Sequence, residues 1–411
     1  MTADIRSCLT SARALPADAS RALLIGRAWV PAVKGPVLVR IDGDGLFDLS
    51  AMAPTASELL NRPDVAREIH AADALPRIGS LAETLANSAD NSRDVSRPWL
   101  LAPCDLQAVK ASGVTFVASM LERVIEEQAR GDPARAEDVR RKIAGVIGDN
   151  LRSVRPGSRE AMRVKDVLIG EGLWSQYLEV GIGPDAELFT KAQPMSSVGT
   201  GADIGIHRRS TWNNPEPEIV LVVNARGETV GASLGNDVNL RDFEGRSALL
   251  LGRAKDNNAS CAIGPFIRVF DRAFTIDTIR DADLALNVEG ADGFVLDGAS
   301  SLAEISRDPL DLVREAIGAD HQYPDGLMLF LGTMFAPIQD RHAPGQGFTH
   351  DVGDVVSIAT PSLGTLVNRV NYADAIAPWT FGAVALMRNL AERGILGATV
   401  ADRATRPSAV P

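Results

Sequence analysis

Short apolar runs with two-residue alternation, cut by Gly, Pro, Asp and Asn, dominate this chain, and only a few stretches carry helical spacing. Between Arg21 and about Leu49, RALLIGRAWV and VLVRI read as strands around the turn PAVKGP, followed by the turn formers Asp42, Gly43, Asp44 and Gly45. From Thr55 to Ala86, TASELLNR, DVAREIHAA and SLAETLA predict helices; His70 falls on one of them as a packed or exposed side chain. The polar run from Asn87 to Arg97 then reads as a linker. Residues 1–100 are therefore expected as a small α+β N-terminal domain, 101–390 as a larger second domain and 391–411 as a loose polar tail.

In the second domain, LLAPCDLQAVKASGVTFVASMLERVIEEQARGD begins extended and passes into a helix near Ser119. Met120, Val124 and Ile125 take its core face, while Glu122 sits in the first turn just after a strand end. Two further helices are predicted at 133–147 and 159–170, and 173–210 reads as strands alternating with loops that include Lys191 and His207. Beyond the centre, CAIGPFIRVF, FTIDTI, DLALNVEG and GFVLDGAS read as successive strands, SLAEISRDPLDLVREAIG as a helix, and GLMLFLGT and GDVVSIATPSLGTLVNRV as strands again. The pattern predicts an α+β protein whose second domain is a mixed β-roll or barrel.

The chemistry concentrates between Trp212 and Lys255. Glu216 and Glu218 are two apart at the mouth of an apolar strand, so on an extended backbone they face the same way. Pro215 and Pro217 place this segment at a strand start or edge. Asp237 follows TVGASLGN, read as a strand and a Gly-Asn turn, and an antiparallel return brings it beside the Glu pair. Three hard oxygen ligands with no neighbouring His or Cys suit Mg, Mn or Ca rather than Zn. Asn236, Asn239, Arg241, Glu244 and Lys255 complete a mixed-sign cluster.

The net charge of -11, with no basic run, argues against a nucleic-acid partner. Three scattered cysteines, Cys8, Cys104 and Cys261, indicate neither disulfides nor a thiolate metal site and fit a reducing cytoplasm. The most apolar run, LMLFLGTMFA, is too short to span a bilayer. No GxGxxG after a strand, GxxxxGK[ST] loop or GxSxG elbow is present.

NPEPE, GNDVNLRDFEG with its downstream AK, LFLGTMFAP and GDVVSIATPSLGTLVNRV, in this order, resemble the fumarylacetoacetate hydrolase superfamily across roughly residues 101 to 380. The resemblance implies a β-roll around a divalent ion, usually Mg, held by Glu216, Glu218 and Asp237, in a catalytic domain over 101–390. It also implies a lysine near the substrate at Lys255, a Gly-Thr turn threonine at Thr333, supporting residues Arg241 and Glu244, and a homodimer or higher homo-oligomer. Carbon-carbon hydrolases of the superfamily use a His before the metal acids, and GVTFVASMLERVIEEQARGD contains none. GVTF followed by Ser-x-x-Glu, and RDFEG with Ala-Lys, resemble instead the 2-keto-3-deoxy sugar acid dehydratases, in particular the 2-keto-3-deoxy-D-xylonate branch.

The resemblance implies a Mg-dependent hydro-lyase that takes a 2-keto-3-deoxy pentonate to 2,5-dioxopentanoate. Glu122 and Lys255 are its expected catalytic pair, and Thr333, Arg241 and Glu244 its expected substrate contacts. Whether Lys255 is charged is left open, because burial favours the neutral amine and the acids oppose it. Two other readings stand beside this one: an acylpyruvate or diketo acid hydrolase, with Glu122 activating water, and a non-catalytic keto-acid-binding module.

Overall fold

The computed structural model describes residues 4–116, 120, 124, 141, 154–333, 335, 339–343 and 347–397. Two strands form its centre. Pro217–Val223 is a run of branched apolar residues, and Thr229–Asp237 alternates small and apolar ones; they pair antiparallel around a loop at Asn224–Glu228. Gly227 has a φ of 79° in that loop, a backbone that side chains disfavour. Gly235 is needed for another reason: a Cβ there would stand 2.2 Å from the Phe330 ring.

Around this hairpin grows the larger sheet. In order its strands are Arg77–Ser80, Gly45–Asp48, Gly35–Asp42, Leu24–Val30, Cys261–Val269, Thr229–Asp237, Pro217–Val223, Leu327–Phe330, Ala108–Gly113 and Glu187–Ala192. Trp99–Leu101 pairs with Leu24–Val30 off this path. Leu24–Val30 pairs with Cys261–Val269, so the N-terminal strands continue the same sheet as the central ones. A second sheet orders Val295–Ser301, Asp283–Glu289, Val355–Thr360, Gly364–Tyr372 and Asp203–Ile206. The expected mixed sheet is present, but among the described residues its two ends do not pair and no barrel closes.

The core lies between the two sheets. Ile219, Leu221, Val223 and Leu329 meet Leu284, Leu286, Ile358 and Leu366 from the facing sheet. Val220, Val222 and Phe330 point the other way, onto Leu59, Leu60 and Ile69 of the N-terminal helices Ala56–Leu60 and Val65–His70. Burying each such side chain contributes about 1.5–3 kcal/mol. Because both faces of the hairpin are covered, Ile219–Val223 is continuously apolar after Glu218, and the facing strand fills its positions with small and apolar residues.

Several local expectations are corrected. FTIDTI is no strand: Thr275 caps the helix Ile276–Arg280 through a capping box with Thr278. The helix expected from Ser301 is confined to Pro309–Ala316, which begins where Pro309 follows the capping Asp308; Ser301 ends a strand. Gly235 and Asn236 lie within a strand rather than in a turn. Helices Gln176–Ile182 and Ala383–Glu392 were not anticipated. Arg159–Gly170 forms as expected, capped by Ser158, whereas nearly all of the helices expected from 119 and over 133–147 falls outside the described residues. The three cysteines are buried and unpaired, and no described helix is long and apolar enough to cross a membrane.

Candidate metal centre and active-site cleft

The register of the central hairpin assembles the site. Pro217 lies opposite Asn236 and Glu218 opposite Gly235, while the Asp237 amide donates to the Glu216 carbonyl at 3.0 Å. Glu216, Glu218 and Asp237 thus converge at one end of the sheet. One carboxylate oxygen from each lies within 4.8 Å of the others, and all three side chains are buried. Pro217 is the first residue of a central strand, a position that needs no ladder donor.

Each acid has a different set of partners. Glu216 Oε2 accepts from Lys255 Nζ at 2.5 Å and its Oε1 from Asn239 Nδ2 at 3.0 Å. Asp237 Oδ2 accepts from Lys255 Nζ at 3.0 Å, and its Oδ1 faces Lys191 Nζ at 2.8 Å. Glu218 Oε2 accepts from the Gly332 amide at 2.6 Å, a contact that depends on the Gly332 φ of 89°.

The electrostatics follow from these partners. Burial raises the Glu218 carboxyl well above the ordinary carboxylate range, and the Asp237 and Glu216 charges raise it further. Burial pushes Asp237 up as well, but the Lys191 and Lys255 ammoniums outweigh it and hold the carboxyl low. Burial favours a neutral Lys255, yet Asp237, Glu216 and Glu244 outweigh it and lift the amine above its ordinary value. The all-oxygen donor set of Glu216, Glu218 and Asp237 would suit a hard divalent cation, whose charge would also offset the mutual repulsion that raises Glu218.

The acids form the floor of a cleft whose walls include Gly113, Glu187, Phe189, Glu244, Leu251, Lys255, Gly332 and Thr333. Lys255 ends the short helix Leu251–Lys255, with its ammonium 5.5 Å from the Phe189 ring centre. Glu244 accepts from Asn239 Nδ2 at 2.6 Å, so Asn239 bridges it to Glu216. Thr333 borders the cleft, and its Oγ1 accepts from the Phe335 amide at 3.0 Å. Arg241 instead turns its guanidinium over the Trp212 indole, 4.4 Å from the ring centre. Glu122, expected as an acid/base group, lies outside the described residues.

Three residues of the strand Glu187–Ala192 join the site, none of which the sequence placed there. Lys191 is fully buried and binds Asp237, the Val238 carbonyl at 3.0 Å and the Lys255 carbonyl at 2.5 Å. Glu187 and Phe189 wall the cleft. Their one sequence signal was a lysine at the end of the otherwise unremarkable strand ELFTKA.

Residues 178–371 match the family model described as fumarylacetoacetate (FAA) hydrolase C-terminal. A protein of Haloferax volcanii described as a "probable 2-keto-3-deoxyxylonate dehydratase" is 31% identical over 194 residues, 47% of this chain and 63% of the relative. The 2-dehydro-3-deoxy-D-arabinonate dehydratase of Saccharolobus solfataricus is 29% identical over 184 residues, 45% of this chain and 58% of the relative. The chain thus spans less than two thirds of the length of either relative. A solved structure of 2-keto-3-deoxy-D-arabinonate dehydratase complexed with magnesium and 2,5-dioxopentanoate superimposes with a TM-score of 0.59, at 20% identity, over 85% of this chain and 99% of the other. Its apo form gives 0.58 over the same shares of both chains. On these matches, residues 178–371 are similar to the fumarylacetoacetate hydrolase C-terminal family model, and the chain shares the fold of the 2-keto-3-deoxy-D-arabinonate dehydratase structures.

Proposed function

We propose that the protein is a magnesium-dependent hydro-lyase that converts a 2-keto-3-deoxy pentonate, derived from D-xylonate or arabinonate, to 2,5-dioxopentanoate. The observation that carries this reading is the convergence of Glu216, Glu218 and Asp237 on one point, with the Lys255 ammonium beside them. The dehydratase names of the two curated relatives support it over carbon-carbon hydrolysis. So does the absence of any histidine between Gly113 and Asp132.

Glu216, Glu218 and Asp237 would hold the ion. When bound, Mg would draw charge from the keto oxygen of a chelated 2-keto acid and make the neighbouring methylene acidic. Lys255, kept charged by Glu216 and Asp237, would face the developing negative oxygen and orient it. Glu122 would take or return the proton, at the methylene carbon or at the departing hydroxyl. Thr333, at the cleft rim beside the Gly332 amide, would bind the substrate carboxylate, and Phe189 would shield that end from water. Glu244, fixed by Asn239, would keep Glu216 aligned.

A product assay across stereoisomeric 2-keto-3-deoxy pentonates with Mg present tests the proposal. Formation of 2,5-dioxopentanoate, lost in Glu122→Gln and Lys255→Met, is expected. Release of pyruvate from an acylpyruvate, with no dioxopentanoate from any pentonate, would establish the hydrolase reading instead.

A further inference from the structure

The short helices Arg241–Glu244 and Leu251–Lys255 give Glu244, Leu251 and Lys255 to the cleft. Other residues of this segment gather instead around the half-buried imidazole of His207, which follows the strand Asp203–Ile206. The imidazole lies 5.2 Å from the Phe243 ring centre, and Arg246 places its guanidinium 4.6 Å from the centre of that same phenyl ring. Arg253 Nη2 is 3.1 Å from His207 Nε2, and the Arg209 amide donates to His207 Nδ1 at 3.1 Å.

The ring cannot accept from both neighbours. A neutral imidazole has one acceptor nitrogen and one N–H, and the charged form has no acceptor at all. With Nδ1 taken by the Arg209 amide, Nε2 bears the proton and faces an Arg253 N–H; the other tautomer only moves the surplus donor to the amide. Two donors therefore meet with no acceptor between them. The charge around the ring has a matching sign. Arg209, Arg246 and Arg253 pair with no carboxylate among the described residues. Asp242 and Asp374, the acids that act on the ring, are engaged elsewhere: Asp242 accepts from Ser210 Oγ at 2.7 Å and the Thr211 amide at 3.1 Å, and Asp374 accepts twice from Arg208 at 2.9 Å. Burial first, and then the Arg253 and Arg209 charges, hold the imidazole below its ordinary value against those two acids.

We propose that His207, Arg209, Arg246 and Arg253 form an oxyanion site that takes a phosphate dianion, separate from the metal centre. Such an anion supplies the missing acceptor, because His207 Nε2–H and Arg253 Nη2–H stand side by side and can donate to neighbouring oxygens. Guanidiniums match the geometry of carboxylate and phosphate alike, and three of them without an acid favour two negative charges over one. On a chain of net charge -11 this excess of positive charge is local, so the anion is drawn here and not to the surface at large. The site also bears on the cleft, since Arg253 shares the helix Leu251–Lys255 with the lysine that binds Glu216 and Asp237.

Calorimetric titration of the metal-free full chain with inorganic phosphate tests the assignment, at low ionic strength and above the second phosphate pKa of about 6, with pyruvate as the monocarboxylate comparison. One phosphate per chain is expected, bound at least tenfold more tightly than pyruvate. His207→Ala and Arg253→Gln should each weaken it about tenfold, the loss of one hydrogen bond to a charged group. A proton NMR titration of the wild type supplies a second readout, with the His207 signal identified by its absence from His207→Ala. Phosphate should raise the midpoint of that imidazole by about one unit, since a bound anion favours the charged ring over the pull of Arg209 and Arg253. This midpoint decides the question even where a variant fails to fold. Pyruvate bound as tightly as phosphate, folded variants that bind phosphate like the wild type, or a midpoint that phosphate leaves unmoved would overturn the assignment.

Discussion

Lys191 and Asp237 form an ion pair of 2.8 Å between two buried side chains, one on an outer strand of the larger sheet and the other at its centre. The same ammonium holds the backbone carbonyls of Val238 and Lys255. It therefore ties Asp237 to the helix end that carries Lys255. Replacing Lys191 by Met leaves those carbonyls and half of the Asp237 charge uncompensated. The loss expected in urea unfolding without metal is about 3–5 kcal/mol. Because a divalent cation restores part of the missing positive charge, Mg should stabilise this variant more than the wild type.

Gly332→Ala tests the cradle of Glu218. A Cβ at this φ of 89° would lie 2.1 Å from Thr115 Oγ1, so the backbone must shift and withdraw its amide from Glu218. A cost of about 1–3 kcal/mol is expected from the strained backbone. Weaker Mg binding should accompany it. Calorimetric titration and urea unfolding measure the two effects separately.

His350 and Asp354 make stability depend on pH outside the metal centre. His350 Nδ1 lies 3.1 Å from Asp354 Oδ2, and Arg341 pairs with the same carboxylate at 2.6 Å. Burial holds the imidazole below its ordinary value against the pull of Asp354. Burial pushes Asp354 up, but its bonds to His350 and Arg341 win and hold it low. Both groups bind fewer protons folded than unfolded, so their contribution is present above the unfolded histidine value near 6.5 and falls as the pH drops below it. While one proton separates the states the slope is about 1.4 kcal/mol per pH unit. Melting temperatures of the metal-free protein between pH 8 and 5 should fall on acidification, and His350→Gln should flatten the upper part of that decline.

Much of the site was legible because it is local. Glu216 and Glu218 share one strand end, and the strand period alone makes them neighbours. Asp237 follows from the antiparallel return, although the turn lies at Asn224–Glu228 rather than at Gly235 and Asn236. Lys191 and Glu187 were hidden because their roles depend on pairing between Glu187–Ala192 and Ala108–Gly113, strands more than 70 residues apart with no motif to join them. The helix Ile276–Arg280 was missed for a different reason. Its β-branched FTIDTI has strand propensity, and the Thr275 capping box overrides it. Ala383–Glu392 carries helix formers throughout and was overlooked beside the polar tail.

The claim on which the rest depends is that Glu216, Glu218 and Asp237 grip one divalent cation. Titrating the metal-free protein with Mg in a calorimeter tests it directly. One ion per chain is expected, with binding weakened at least tenfold in both Glu218→Ala and Asp237→Asn. A wild type that takes up no divalent cation, or variants that bind as tightly as it does, would contradict the account.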